Sequence, residues 1–138
     1  MRFLGIDPGG KRLGLALGDD LTGFATPLEV VSYQGSVQAA NLIVEAMDEY
    51  GADIAVIGLP TLADGSQTPA CTRSHALAGA LAELGVETAL QPEFLTTNEA
   101  RRRARSSNRR PGQPVDDIAA QVILEEYLAN RQAPDVSR

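Results

Sequence analysis

The sequence predicts an α/β protein, a five-stranded mixed sheet flanked by helices in the order βββαβαβαα. Three observations carry that expectation. Two continuous apolar runs, Phe3-Leu4-Gly5-Ile6 and Ile54-Ala55-Val56-Ile57-Gly58, lack the alternation of a half-exposed strand and read as strands covered on both faces. Between Val37 and Tyr50, apolar residues at 39, 40, 43, 44, 47 and 50 follow the i, i+3, i+4, i+7 spacing of an amphipathic helix. Helix followed by strand then occurs twice, which calls for parallel strands added through right-handed crossovers.

Taken in order, the first strand ends at Asp7, and Pro8-Gly9-Gly10 turns the chain, because Pro fixes φ and Gly permits φ > 0. Leu13 to Leu17 returns as the second strand of a hairpin. Asp19-Asp20 and Thr22-Gly23 mark the next turn, and Phe24 to Val31 completes an antiparallel meander. Ser36 is a plausible cap and Gly51 the stop of the first helix. Gly58-Leu59-Pro60 ends the fourth strand, and Ala63-Asp64-Gly65-Ser66 leads to a second helix with Pro69 in its first turn and Gly85 as its end. Val86 to Leu90 is strand five. Thr97 to Ser107 reads as a polar, arginine-studded helix and Ser106 to Pro114 as a mobile loop. Val115 to Asn130 closes the fold, with Ile118, Val122, Ile123, Leu124 and Tyr127 facing inward. One domain is expected over residues 1–130, with a frayed tail at 131–138.

In such a sheet the first strand is central with the parallel strands flanking it. Asp7, Glu93 in Gln91-Pro92-Glu93-Phe94, and Asp116 in Pro114-Val115-Asp116-Asp117 then all lie at element ends. The three acids can converge, and clustered carboxylates resist joint ionisation without a cation. Hard divalent ions such as Mg²⁺ or Mn²⁺ resolve the conflict, and two of them about 3.5–4 Å apart form a clamp for in-line phosphodiester hydrolysis. Taken singly, each acid reads as readily as a turn or capping residue, Asp116 as an N-cap in particular. Asp117 would point about 100° away around the helix and reads as a solvated or capping acid. Glycines 5, 9, 10, 14 and 18 clear side chains from around Asp7, so that a hydrated metal or a phosphate could approach the backbone.

The formal net charge of −6 over 138 residues argues against a generic binder with a basic surface. The distribution of charge says more. Six of the twelve basic residues are Arg101, Arg102, Arg103, Arg105, Arg109 and Arg110, and the planar guanidinium suits phosphate. This segment lies between Glu93 and Asp116 and is expected beside the acids, as phosphate contacts. Lys11, Arg12 and Arg73 are further candidates for nucleic-acid contact, with a plain solvated surface a stronger alternative for Arg12 and Arg73 than for the arginine cluster. Cys71, alone, excludes an internal disulfide framework or a multi-Cys zinc site and reads as a small buried residue. His75 is expected at the surface or half-buried, and Thr96 and Thr97 as a helix cap; no Ser or Cys has a His arranged for acyl transfer. No apolar run approaches the ~20 residues of a membrane span and no secretory signal opens the chain, so a cytoplasmic location without a membrane partner is expected.

The segments GIDPGGKRLGLALG, VIGLP with DGS, PEFLTTNEAR and VDDIAAQVILEEYL, in this order from residue 3 to about 128, resemble the YqgF or RuvX family, the Holliday junction resolvase-like nucleases of bacterial ribosomal RNA maturation. The resemblance implies an RNase H-like fold and a metal-dependent endonuclease. It implies Asp7, Glu93 and Asp116 as the catalytic, metal-ligating acids, and structured RNA precursors or branched DNA as substrate. Two departures stand out. Pro92 and Phe94 flank Glu93 where the family has Asp and Arg, and the family's Asn after Gly-Leu-Pro is replaced by Ala63 or a neighbour. Competing readings are a catalytically silent RNA-binding ribosome-assembly factor and an actin-like ATPase, the latter requiring two such domains. A junction resolvase would act as a symmetric homodimer with two sites.

Overall fold

A computed structural model of the chain describes residues 1–62, 64–93, 99–100, 102–104 and 113–132. The elements are β1 (Arg2–Pro8), β2 (Arg12–Asp19), β3 (Ala25–Ser32), α1 (Gly35–Tyr50), β4 (Ile54–Pro60), α2 (Cys71–Glu83), β5 (Thr88–Glu93) and α3 (Asp116–Gln132). The sheet order is β3-β2-β1-β4-β5, antiparallel from β1 to β3 and parallel from β1 through β4 to β5. β1 is central as expected. The parallel strands both fall on one side of it, because the β1–β2 hairpin occupies its other edge.

Both key strands run further than their apolar cores suggest. Asp7 pairs with Gly14 and Pro8 with Leu13, so Asp7 lies within β1. Glu93 pairs with Pro60 and is the last residue of β5. The β1–β2 turn needs no positive φ: neither Gly9 nor Gly10 adopts one. Gly9 is instead required for room, since its N–H donates to the carbonyls of Asp7 (3.1 Å) and Arg12 (2.9 Å) and a β-carbon there would stand 2.8 Å from the latter oxygen. α1 starts earlier than expected: Gln34, not Ser36, is its cap residue, with the Gln34 backbone N–H donating to the Gln38 side chain. Gly51, at φ 69°, ends α1 as the sequence suggests. α3 extends to Gln132, two residues into the stretch expected to fray.

One face of the sheet, through Leu4, Ile6, Leu13, Leu15 and Ile57, packs on α1 and α2 through Ile43, Met47, Leu77 and Leu81. The other face carries α3: Phe3 and Val56 meet Ile123, Leu124 and Leu128. Ala100 and Ala104, in the described part of the arginine segment, pack on Ile118 and Ala119 of α3. At three glycines α3 comes especially close to the strands. A β-carbon on Gly5 would stand 2.8 Å from the Ala120 carbonyl oxygen, one on Gly58 2.5 Å from Ile123 Cδ1, and one on Gly14 1.8 Å from the Asp116 carbonyl oxygen. Gly5 and Gly14 therefore make room for a helix, not for a ligand as the sequence suggested. Among the described residues no helix is long and apolar enough to cross a membrane.

Candidate active site

Strand alternation directs Asp7 to the same face as Phe3 and Gly5, the face covered by α3. Gly14, its partner across the hairpin, receives the first residue of α3 directly on its backbone, which brings Asp116 beside Asp7. The electrostatics register this approach. The Asp7 carboxyl is pushed up to about 6, first by burial and then by the Asp116 charge, with Arg73 acting in the opposite direction. Arg12, the first residue of β2 and on the same face as Gly14, donates from Nε to Asp116 Oδ2 at 2.7 Å. The ion pair to a site carboxylate is not foreseen in the sequence, although alternation from residue 14 back to residue 12 puts Arg12 on the face that α3 covers.

Glu93 is buried, with 7% of its surface exposed. Its carbonyl accepts hydrogen bonds from the Thr61 N–H (2.8 Å) and hydroxyl (3.0 Å), which fix the end of β5 to the chain leaving β4. β4 lies between β5 and β1, so two strand spacings, about 10 Å, separate the backbones of Glu93 and Asp7. Among the described residues no three Asp, Glu, His or Cys side chains are gathered closely enough to hold a metal ion. Asp7 and Asp116 come together, and Glu93 stands apart from them at the same end of the sheet. Asp117 is not solvated: it is buried, because Gly14 lets the first turn of α3 settle onto β2, and its Oδ1 accepts the Ile118 N–H at 3.0 Å.

The donor chemistry fits a hard divalent cation. Asp7 and Asp116 offer only carboxylate oxygens, and their mutual repulsion is the conflict a cation relieves. Arg12 meets that need in part and competes for Asp116. An ion pair with a half-exposed guanidinium contributes about 0.2–1 kcal/mol. Arg12→Gln is accordingly expected to raise affinity for Mn²⁺ about two- to fivefold by calorimetric titration; unchanged or weaker binding would show that Arg12 does not compete.

The remaining candidate cations are spread around the hairpin tip and α3. Lys11 is exposed in the turn. Arg73, at the start of α2, donates from Nε to the Pro8 carbonyl at 3.3 Å. Arg102 is paired with Glu99; Arg103 bridges Glu99 (3.1 Å) and Glu125 of α3 (2.8 Å), so part of the arginine charge is used within the protein. Arg101, Arg105, Arg109 and Arg110, with Ala63, Phe94, Thr96, Thr97, most of the expected 97–107 helix and 106–114 loop, and the tail from 133, lie outside the described residues. His75 is exposed and hydrogen-bonded to Gln67. Cys71 is buried, its thiol donating to the Pro60 carbonyl at 2.7 Å.

A family model described as "RuvX: Holliday junction resolvase" matches residues 1–130. The chain belongs to the RuvX family. Its relatives include the "Putative pre-16S rRNA nuclease" of Pelotomaculum thermopropionicum, 36% identical over 97% of this chain and 90% of the relative. A protein of the same description from an Anaeromyxobacter species is 39% identical over 96% of this chain and all of the relative. Among solved structures, Thermus thermophilus RuvC in complex with a Holliday junction substrate superposes with a TM-score of 0.57 at 18% identity, covering 96% of both chains. The fowlpox virus resolvase bound to Holliday junction DNA gives 0.58 at 10% identity, covering 96% of this chain and all of that one. These structural likenesses concern the fold, which is the RNase H-like sheet of the resolvases. Membership of the RuvX family makes the chain a nuclease, and disfavours the silent RNA-binding module and the ATPase.

Proposed function

We propose that this RuvX-family nuclease is a divalent-metal-dependent endonuclease that processes the 5′ end of structured ribosomal RNA precursors in the cytoplasm, with Asp7, Glu93 and Asp116 as its catalytic acids. The observation that carries the reading is the juxtaposition of Asp7 and Asp116 beneath the first turn of α3, where burial first and the Asp116 charge second raise the Asp7 carboxyl. The printed descriptions of the relatives support the choice of RNA. Mg²⁺ or Mn²⁺ suits the all-oxygen donor set and, bound there, would supply charge stabilisation for an in-line attack of water on phosphorus. Asp7 and Asp116 would hold it, with Glu93 as the third acid of a two-ion site. In the reaction the bond from the water oxygen to phosphorus forms, the bond to the leaving ribose oxygen breaks, and that oxygen takes up a proton. Lys11, Arg12, Arg73 and the arginines from Arg101 to Arg110 neutralise flanking phosphates that the acids would otherwise repel.

A second reading, cleavage of four-way DNA junctions by a homodimer, rests on the description of the family. Purified protein is to be incubated with Mg²⁺ or Mn²⁺ and either a structured ribosomal RNA precursor or a synthetic junction, with a chelator and Asp116→Asn as controls. Metal-dependent cutting of the RNA that Asp116→Asn abolishes is the expected result. Cutting of the junction alone, by a dimer in solution, would favour the second reading, and no cutting of either would overturn both.

A further inference from the structure

Across the sheet from Asp116, a cavity of about 280 Å³ opens between the β1–β2 turn and the first turns of α1 and α2. Pro8, Tyr33, Ala39, Thr72, Arg73 and Ala76 are among its walls. An open trough of about 820 Å³ lies next to it, lined in part by Lys11, Ser32 and Gln38. Gly10, Tyr33 and Gly35 line both spaces, so the tyrosine stands at the boundary between them.

Four features of this place point to one ligand chemistry. The cavity lies near the lower end of the roughly 300–1,000 Å³ of small-ligand sites, which suits a single ring system and is too small for a duplex. Its walls are largely apolar or small, leaving room for a flat ring. Tyr33 is held in position: its hydroxyl donates to the Gly9 carbonyl, its backbone N–H to the Lys11 carbonyl at 3.2 Å, and its side chain packs on the core. Finally, each space has its own cation, Arg73 for the cavity and Lys11 for the trough, and among the described residues neither makes an ion-pair contact with a carboxylate. A fixed aromatic wall between two available cations is how single-stranded nucleic acid is held, by base stacking and phosphate neutralisation together.

We infer that the cavity receives one unpaired nucleobase of the substrate, stacked on Tyr33, with its neighbouring phosphates against Arg73 and Lys11. Pro8 and Gly10, which flank Asp7 closely in the chain, line the same cavity, so the base belongs to the strand being cut. The enzyme thereby selects a bond adjoining single-stranded nucleotides over one inside a continuous duplex. The inference rests on the nuclease reading above and narrows its substrate.

The test measures binding by fluorescence anisotropy with chelator present, using one RNA stem in two forms, fully paired or carrying a single-stranded flank. Wild type is expected to bind the flanked form about tenfold tighter, the scale of one stacked base. Ala76→Phe, which fills the cavity from an exposed helix position, and Arg73→Ala, which removes its cation, are each expected to bring that ratio within about twofold. Circular dichroism establishes that both variants are folded. Equal affinities in wild type, or a preference that survives both substitutions, would overturn the inference. Failure of wild type to bind either RNA would instead overturn the choice of RNA as substrate, and this inference with it.

Discussion

Asp7→Asn is expected to abolish phosphodiester hydrolysis while making the metal-free protein more stable at neutral pH. The two effects share one cause. Asp7 lies within β1 under the first turn of α3, where burial and the adjacent Asp116 disfavour its charge. A bound divalent cation needs that charge, and losing several kcal/mol of transition-state stabilisation lowers the rate at least about a thousandfold. Without metal the same charge is a liability. The folded-state value of about 6 lies above the ordinary 3.8, so the native state holds the proton more tightly than the unfolded chain. Its favourable contribution is present below about pH 4 and is lost as pH rises through 6, at about 1.4 kcal/mol per unit of displacement, or up to about 3 kcal/mol in all.

Asparagine removes that dependence. Chemical denaturation with a chelator present should therefore show wild type losing stability between pH 4.5 and about 7 relative to Asp7→Asn. Asp19 and Asp64, held low by hydrogen bonds from Thr22 and Ser66, titrate below that window and leave the comparison clean. Added Mn²⁺ at pH 7.5 should then stabilise wild type, by ligand linkage, and leave the variant unmoved. A variant that is uniformly less stable than wild type, or that retains cleavage, would remove Asp7 from the centre of the site.

Much of this arrangement is legible in the chain. The apolar runs at Phe3–Ile6 and Ile54–Gly58 become the two central strands, and of the residues foreseen facing inward on α3, Ile118, Val122, Ile123 and Leu124 are buried and Tyr127 is half-buried. Periodicity finds these because each element reports its own covered face. It does not report which element does the covering. The glycines around Asp7 announce a close approach without naming the partner, and the partner at Gly5 and Gly14 is a helix backbone more than 100 residues away in sequence. The Arg12–Asp116 pair and the burial of Asp117 escape the pattern for the same reason: they arise only when α3 sits down on β2. Tyr33 has no distinguishing pattern in the sequence, being one aromatic just past a strand end; its standing comes from the two helices and the turn that assemble around it.

Gly14→Ala should be more damaging than alanine at Gly5, Gly9, Gly18 or Gly58, and it should act on the site through the fold. The added β-carbon would stand 1.8 Å from the Asp116 carbonyl oxygen, 2.1 Å from its carbon and 2.7 Å from the Asp117 nitrogen, all backbone atoms that no rotamer change can move away. Relief requires the first turn of α3 to lift from β2 by about 1 Å or more, and overpacking of this kind costs about 1–3 kcal/mol or more. The helix that lifts carries Asp116 away from Asp7, and a displacement of that size costs about a hundredfold in rate. Thermal melting and single-turnover cleavage should fall together. The same substitution at Gly79 makes the contrast. That glycine lies on α2 with nothing within 4 Å of a new β-carbon, so alanine there is expected to stabilise by about 0.5–1 kcal/mol, through helix propensity alone. If Gly14→Ala melted and cleaved like wild type, α3 would not be seated on β2, and the pairing of Asp7 with Asp116 would lose its structural basis.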